Sequence, residues 1–93
     1  PYPKPNEILL EEFLKPMGIS AYRLAKDIGV TQMLISEILS GKRAITVETG
    51  LRLSRYFSLN DGFWTGLQLD HDAAQAKKSL AKVLLNIKPL EVA

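Results

Sequence analysis

The chain has 93 residues, 46% hydrophobic and 24% charged, with a net charge of +2, which suits one globular domain and excludes a disordered chain. It has no cysteine, which excludes a disulfide framework and a thiolate metal site and fits a reducing, cytoplasmic setting. No apolar run approaches the ~20 residues of a membrane span, and the first residues lack a charged-then-apolar signal pattern.

Residues 1–5 hold three prolines, which predicts an extended arm. Asn6 offers an N-cap, and Glu7 sits in the first turn, where the helix dipole favours a carboxylate. Ile8, Leu9, Phe13 and Leu14 make an apolar face at helical spacing. Pro16 and Gly18 end this first helix, with Met17 and Ile19 expected as core plugs in the turn. Ser20 caps a second helix carrying Tyr22, Leu24, Ala25 and Ile28, and Gly29 ends it. Thr31 caps a third with Leu34, Ile35, Ile38 and Leu39, closed by Gly41. Thr46 caps a fourth, whose apolar positions are Leu51, Leu53, Tyr56 and Phe57. Asn60 caps a fifth. It carries Phe63, Trp64 and Leu67 early, then Leu80, Val83, Leu84 and Ile87 late, until Pro89 stops it. Trp64 is expected to lock the fifth helix onto the fourth near Tyr56 and Phe57. No run alternates at strand period. The fold class is all-α, with five helices.

Residues 20–41 carry the functional signal. Two helices joined by a short turn need a small residue where they cross, and Ala25 supplies it. The turn needs a residue that tolerates positive φ, and Gly29 stands there. Leu24, Ile28, Val30, Ile35 and Ile38 can glue the inner faces. Thr31, Gln32, Met33, Ser36 and Glu37 remain on the outer face of the third helix. This is the pattern of a helix-turn-helix, whose second helix enters the major groove of double-stranded DNA. Gln32 is the best base reader, since its amide can pair with adenine twice. Thr31 and Ser36 can donate to base or phosphate, and Met33 can meet a thymine methyl. Glu37 can accept from cytosine, or instead pair with a neighbouring base such as Arg43. Residues 20–55 hold six basic side chains against three acidic ones, a local surplus suited to phosphate. Of these, Arg23, Lys42 and Arg43, with the Thr46 hydroxyl, read as phosphate contacts. Arg52 and Arg55 read as surface charges or partners in an internal salt bridge.

The run YRLAKDIGVTQMLISEILSGKRAITVETGLRLSRYF resembles the Cro/repressor-like helix-turn-helix domains. More narrowly, PNEILLEEFLKPMGIS, ISEILSGKRAIT, TGLRLSRYF and FWTGLQLDHDAAQA, in that order and spacing, resemble the HigA-type antitoxins of bacterial toxin–antitoxin pairs. The likeness covers about residues 5–77. A glycine common in the family before the first glutamate is Asn6 here, a histidine frequent in the arm is Lys4, and an aromatic frequent after the leucine segment is His71. The resemblance implies a Cro/repressor-like fold with an extended C-terminal helix. It also implies a homodimer that represses its own operon and binds a cognate, ribonuclease-type toxin. The alternative is a stand-alone repressor or phage-type regulator with no toxin partner.

The expected organisation is an arm over residues 1–5, a DNA-binding domain over 6–70 with its helix-turn-helix at 20–40, and a helical extension over 71–93. Leu80, Val83, Leu84 and Ile87 exceed what a small core needs. They would either pair with a second subunit or fold back over the first helix. An enzyme is not expected. The single histidine, His71, is flanked by Asp70 and Asp72 but has no convergent partners, and neither cofactor nor metal is implied.

Overall fold

The computed structural model describes residues 4–91, and every helix forms near where hydrophobic period and capping residues place it. The expected arm at residues 1–3 lies outside the described residues. Pro5 does not belong to an arm. It is buried at the first helical position, where its missing N–H costs nothing, behind an extended Lys4. Asn6 is therefore inside the helix and caps nothing at its start.

Helix α1 runs over residues 5–17 in three segments, α-helical at Pro5–Ile8 and Lys15–Met17 and π-helical at Leu9–Leu14. In the widened turn, residues five apart share a face. Leu9 and Leu14 are thus both buried. Next come α2 (Ala21–Ile28), α3 (Gln32–Leu39), α4 (Val47–Tyr56), α5 (Phe63–Ser79) and α6 (Ala81–Asn86). Ser20, Thr31 and Thr46 cap α2, α3 and α4 as expected, each side-chain oxygen accepting an N–H of the first turn. Asn60 does not cap α5. Its carbonyl accepts from Phe63, and Gly62 is the boundary residue. Among the described residues there are six helices, because the last predicted one breaks at Leu80, where φ −99° and ψ 9° leave the helical region.

The core is Leu9, Leu14, Leu24, Ala25, Ile28, Ile35, Ile38, Ile45, Leu53 and Trp64, drawn from α1 to α5 and the loop before α4. Trp64 is completely buried, as expected. It packs in an aromatic cluster whose middle is Phe13, with ring centroids 4.8 Å from Phe57, 5.1 Å from Trp64 and 6.1 Å from Phe63. The first helix is thus tied to the fourth and fifth. Three expected apolar positions lie outside. Met17, Tyr22 and Leu51 are exposed, because each falls on the side of its helix turned away from the core.

No helix among the described residues is long and apolar enough to cross a membrane. The radius of gyration is 16.6 Å, against about 12 Å for a compact chain of this length. The excess comes from α5 and α6, which run out of the domain. None of Leu80, Val83, Leu84 or Ile87 joins the core, and each is between 43% and 60% exposed. The fold-back over α1 does not occur.

Two packing details separate by sign. Gly50 is buried where α4 crosses α5, and a Cβ there would stand 3.1 Å from Thr65 Cγ2 and 3.5 Å from Trp64 Cβ. Gly50→Leu is expected to lower stability by about 1–3 kcal/mol through overpacking. Ser54 Oγ is buried without a partner, so Ser54→Ala should leave stability unchanged or raise it by up to about 1 kcal/mol. Chemical denaturation of both variants checks the pair.

Candidate nucleic-acid interface

Helices α2 and α3 pack on each other through Leu24, Ala25, Ile28, Ile35 and Ile38, all buried. Ala25 is where the sequence places the crossing, since any larger side chain would force the helices apart. Gly29 has φ +76°, and the N–H groups of Gly29 and Val30 both reach the Ala25 carbonyl. A left-handed residue closes α2 there and turns the chain into α3 within three residues.

The eight residues of α3 make a helix whose diameter with side chains, about 10–12 Å, is admitted by a B-DNA major groove about 12 Å wide. Its outer stripe is free. Thr31, Gln32, Met33 and Ser36 are exposed, and Met33 is 71% exposed, which leaves its thioether open to an apolar partner. Gln32 stands at the first helical position, where side chains reach base edges in docked helices of this kind. The Thr31 oxygen accepts the Leu34 N–H, leaving its hydroxyl hydrogen free to donate. Glu37 follows the second of the two readings above. Its carboxylate accepts from Arg43 Nη2 at 2.9 Å, an exposed pair that yields easily.

The start of the loop over residues 40–45 is shaped by backbone hydrogen bonds to the end of α3. Gly41 has φ +80°, its N–H reaches the Ile38 carbonyl, and the Lys42 and Arg43 N–H groups reach the Glu37 carbonyl. The left-handed turn satisfies carbonyls of the last turn and presents Lys42 and Arg43 beside the helix end. Thr46, at the far end of this loop, is more committed. Its oxygen accepts the Thr49 N–H and its hydroxyl donates to Thr49 Oγ1.

All three acids of residues 20–55 are paired: Asp27 with Arg23, Glu37 with Arg43 and Glu48 with Arg52. Lys26, Lys42 and Arg55 belong to no ion pair among the described residues. Arg52 is a structural cation. Its Nη1 donates to the Ile28 carbonyl at 2.6 Å, at the negative end of α2. Sequence reasoning had allowed Arg52 only a surface charge or a salt bridge, and spacing alone could not reveal this long-range cap. It also missed Asn6 and Gln68, which grip the loop around Lys42 and Arg43: Asn6 Nδ2 donates to the Leu39 carbonyl and Gln68 Oε1 accepts the Ile45 N–H. His71, with Asn6, Gln68 and Arg43, lines a cleft of about 440 Å³ between α1, this loop and α5. Among the described residues no cluster of acids and histidine gathers that could hold a metal. Of the expected dimer residues, Leu80 lies at the break before α6, Val83 and Leu84 on α6, and Ile87 just beyond its end.

A capped helix with a free polar stripe, crossed and held by its predecessor, defines the helix-turn-helix class. The family model described as Helix-turn-helix matches residues 10–62, more than half of the chain. Virulence-associated protein I of Dichelobacter nodosus is 46% identical over 74 residues, covering 80% of this chain and 68% of the relative. The Pseudomonas aeruginosa antitoxin HigA, solved with the higBA promoter, superposes with a TM-score of 0.92 at 33% identity, covering 98% of this chain and 100% of that one. An addiction module antidote protein of the HigA family from Coxiella burnetii superposes at 0.87 and 35% identity, covering 95% and 97%. The chain belongs to the helix-turn-helix family and, within it, to the HigA-type antitoxins. That is a family of regulators, not of enzymes.

One titration reports on how α2 is held. The Tyr56 hydroxyl on α4 donates to Asp27, which also pairs with Arg23. The Tyr56 pKa is raised, first by that hydrogen bond and then by desolvation and the Asp27 charge. The bond's contribution to stability is present below tyrosine's ordinary value of about 10 and is lost as pH rises through the higher folded value. Asp27→Asn should move one tyrosine back towards the ordinary value in a spectrophotometric titration. An unmoved titration would mean that the α2–α4 bond is absent in solution.

Proposed function

We propose that this protein is the antitoxin of a toxin–antitoxin pair: a homodimer that binds an operator in its own promoter, represses that operon, and neutralises a ribonuclease-type toxin in the cytoplasm. The single observation that carries the DNA half is the free stripe of α3, with Met33 exposed beside Gln32 and Ser36. The HigA-type relative solved on promoter DNA supports it. Gln32 and Met33 read bases, joined by Thr31 and Ser36. Glu37 accepts from cytosine only when Arg43 leaves it for the DNA backbone. Arg23, Lys42, Arg43 and Thr46 hold phosphates, which sets position and salt dependence but carries little sequence information.

The dimer half rests on Leu80, Val83, Leu84 and Ile87, an apolar stripe that the domain leaves open. A two-fold pairing there would set two recognition helices about one DNA turn apart, reading a palindrome. The unit that reads DNA is residues 6–70, and 71–93 carry the pairing surface. The toxin half rests on family membership. Co-purification with the product of the neighbouring gene tests it, followed by a gel shift on the upstream DNA. A shift without a partner would favour a stand-alone repressor, and the absence of both would sink the proposal.

Gln32→Ala should cost about 1–3 kcal/mol at the operator and relax specificity there. Arg43→Ala should instead weaken binding to all sequences and flatten its salt dependence by about one phosphate contact. Titrations of operator and random DNA at several salt concentrations distinguish them. Leu84→Glu places a charge in the stripe and should leave a folded monomer in sedimentation, with operator affinity reduced by at least about tenfold as the second half-site is lost.

A further inference from the structure

Residues 40–45 carry Lys42 and Arg43 between the end of α3 and the start of α4, and all but Ile45 are exposed. A loop with so little burial is held by its backbone hydrogen bonds. Those bonds can be counted. The Glu37 carbonyl takes the Lys42 and Arg43 N–H groups, Ile38 takes that of Gly41, and Ser36 takes that of Ser40. The Leu39 carbonyl is the one in the last turn of α3 that the turn itself leaves over. It accepts Asn6 Nδ2 at 3.2 Å, from a residue 33 positions away on α1. At the other end of the loop the Ile45 N–H donates to Gln68 Oε1 at 3.0 Å, from α5. The Gln68 amide is itself oriented, since its Nε2 donates to Asp72 Oδ1 at 2.9 Å.

Resting on the DNA-binding reading above, we infer that Asn6 and Gln68 are positioning residues for phosphate contact. Their two amides clamp the loop at both ends and hold Lys42 and Arg43 in register with α3. Neither need touch DNA. Both side chains line the cleft between α1, the loop and α5, and the Asn6 amide nitrogen lies 3.5 Å from where a Gly41 Cβ would be, against the left-handed turn. Release of either end gives the loop backbone freedom that must be lost again on binding, so Lys42 and Arg43 hold phosphate for only part of the time, which weakens the complex although neither side chain is removed. The sequence-reading stripe is untouched, so the loss falls equally on cognate and random DNA.

The experiment takes the full chain with Asn6→Ala and Gln68→Met, the latter near in shape to glutamine but without an amide. Amide exchange is followed by NMR, and DNA binding by titration at several salt concentrations. Each variant should weaken binding about three- to tenfold, to operator and random duplex alike, with a shallower salt slope. Exchange of the Ile45 amide should quicken in Gln68→Met, and exchange of Gly41 and Lys42 in Asn6→Ala, while the amides of α2 keep their protection. Unchanged exchange in the folded variants would overturn the clamp. Quickened exchange with unchanged affinity and salt slope would overturn its role in phosphate contact. Loss of operator preference over random DNA would overturn the separation from base reading. If the wild-type protein binds no DNA at any salt concentration, the DNA-binding reading itself fails, and the inference with it; the exchange data then show only whether the loop is clamped.

Discussion

The packing of α2 on α3, with the small Ala25 buried on its inner face, is the constraint on which the rest depends. A methyl group there lets two backbones approach closely enough for Leu24, Ile28, Ile35 and Ile38 to leave water together. The left-handed Gly29 makes the sharp turn that this approach demands. Once the inner face of α3 is sealed, its outer face has no choice. Gln32, Met33 and Ser36 must stand in solvent. The other elements then serve that arrangement: Arg52 closes the end of α2 from α4, and Tyr56 reaches α2 through Asp27.

Charge is distributed on the same plan. Taken whole, the chain is nearly balanced. Yet each acid between residues 20 and 55 is held by an arginine of its own neighbourhood. Exposed pairs of this kind contribute little to stability, with a median of about 0–1 kcal/mol. They matter more as settings of arginine direction. Arg43 is parked on Glu37 beside the stripe, close to where a DNA backbone would pass. Under the proposed function, exchange of that carboxylate for a phosphate would exchange one ion pair for another, which would keep the cost of leaving small.

The C-terminal quarter follows a different logic. The domain proper buries a single core drawn from five helices, small by the standards of stable domains. Beyond it, α5 continues outward, the chain breaks at Leu80, and α6 carries apolar side chains that no part of the domain covers. The resulting molecule is 56 Å long and 22 Å across its narrowest axis. Such a shape separates the proposed reading end from the proposed pairing end, so each can meet its partner without competing for the other's surface.

Periodicity and capping chemistry are local, and the sequence by itself therefore determined the helices, their order, the buried place of Ala25, the two glycine turns and the free stripe of α3. It also determined that Trp64 belongs inside, since a large aromatic at a helix start has few other fates. Distance in the chain set the limit. The bonds from Asn6 to Leu39, Gln68 to Ile45 and Arg52 to Ile28 span 33, 23 and 24 residues, and no spacing rule relates such positions. Helical spacing also marked Tyr22 and Leu51 as core candidates, and Met17 was expected to plug the turn after α1, but three dimensions left all of them outside. The π-helical turn, which buries Leu9 and Leu14 together, and the break at Leu80 were likewise invisible, because each arises where packing partners in the folded chain outweigh local preference. The tertiary structure alone decided that the last apolar stripe stays open, since only the assembled domain shows that its core is already full.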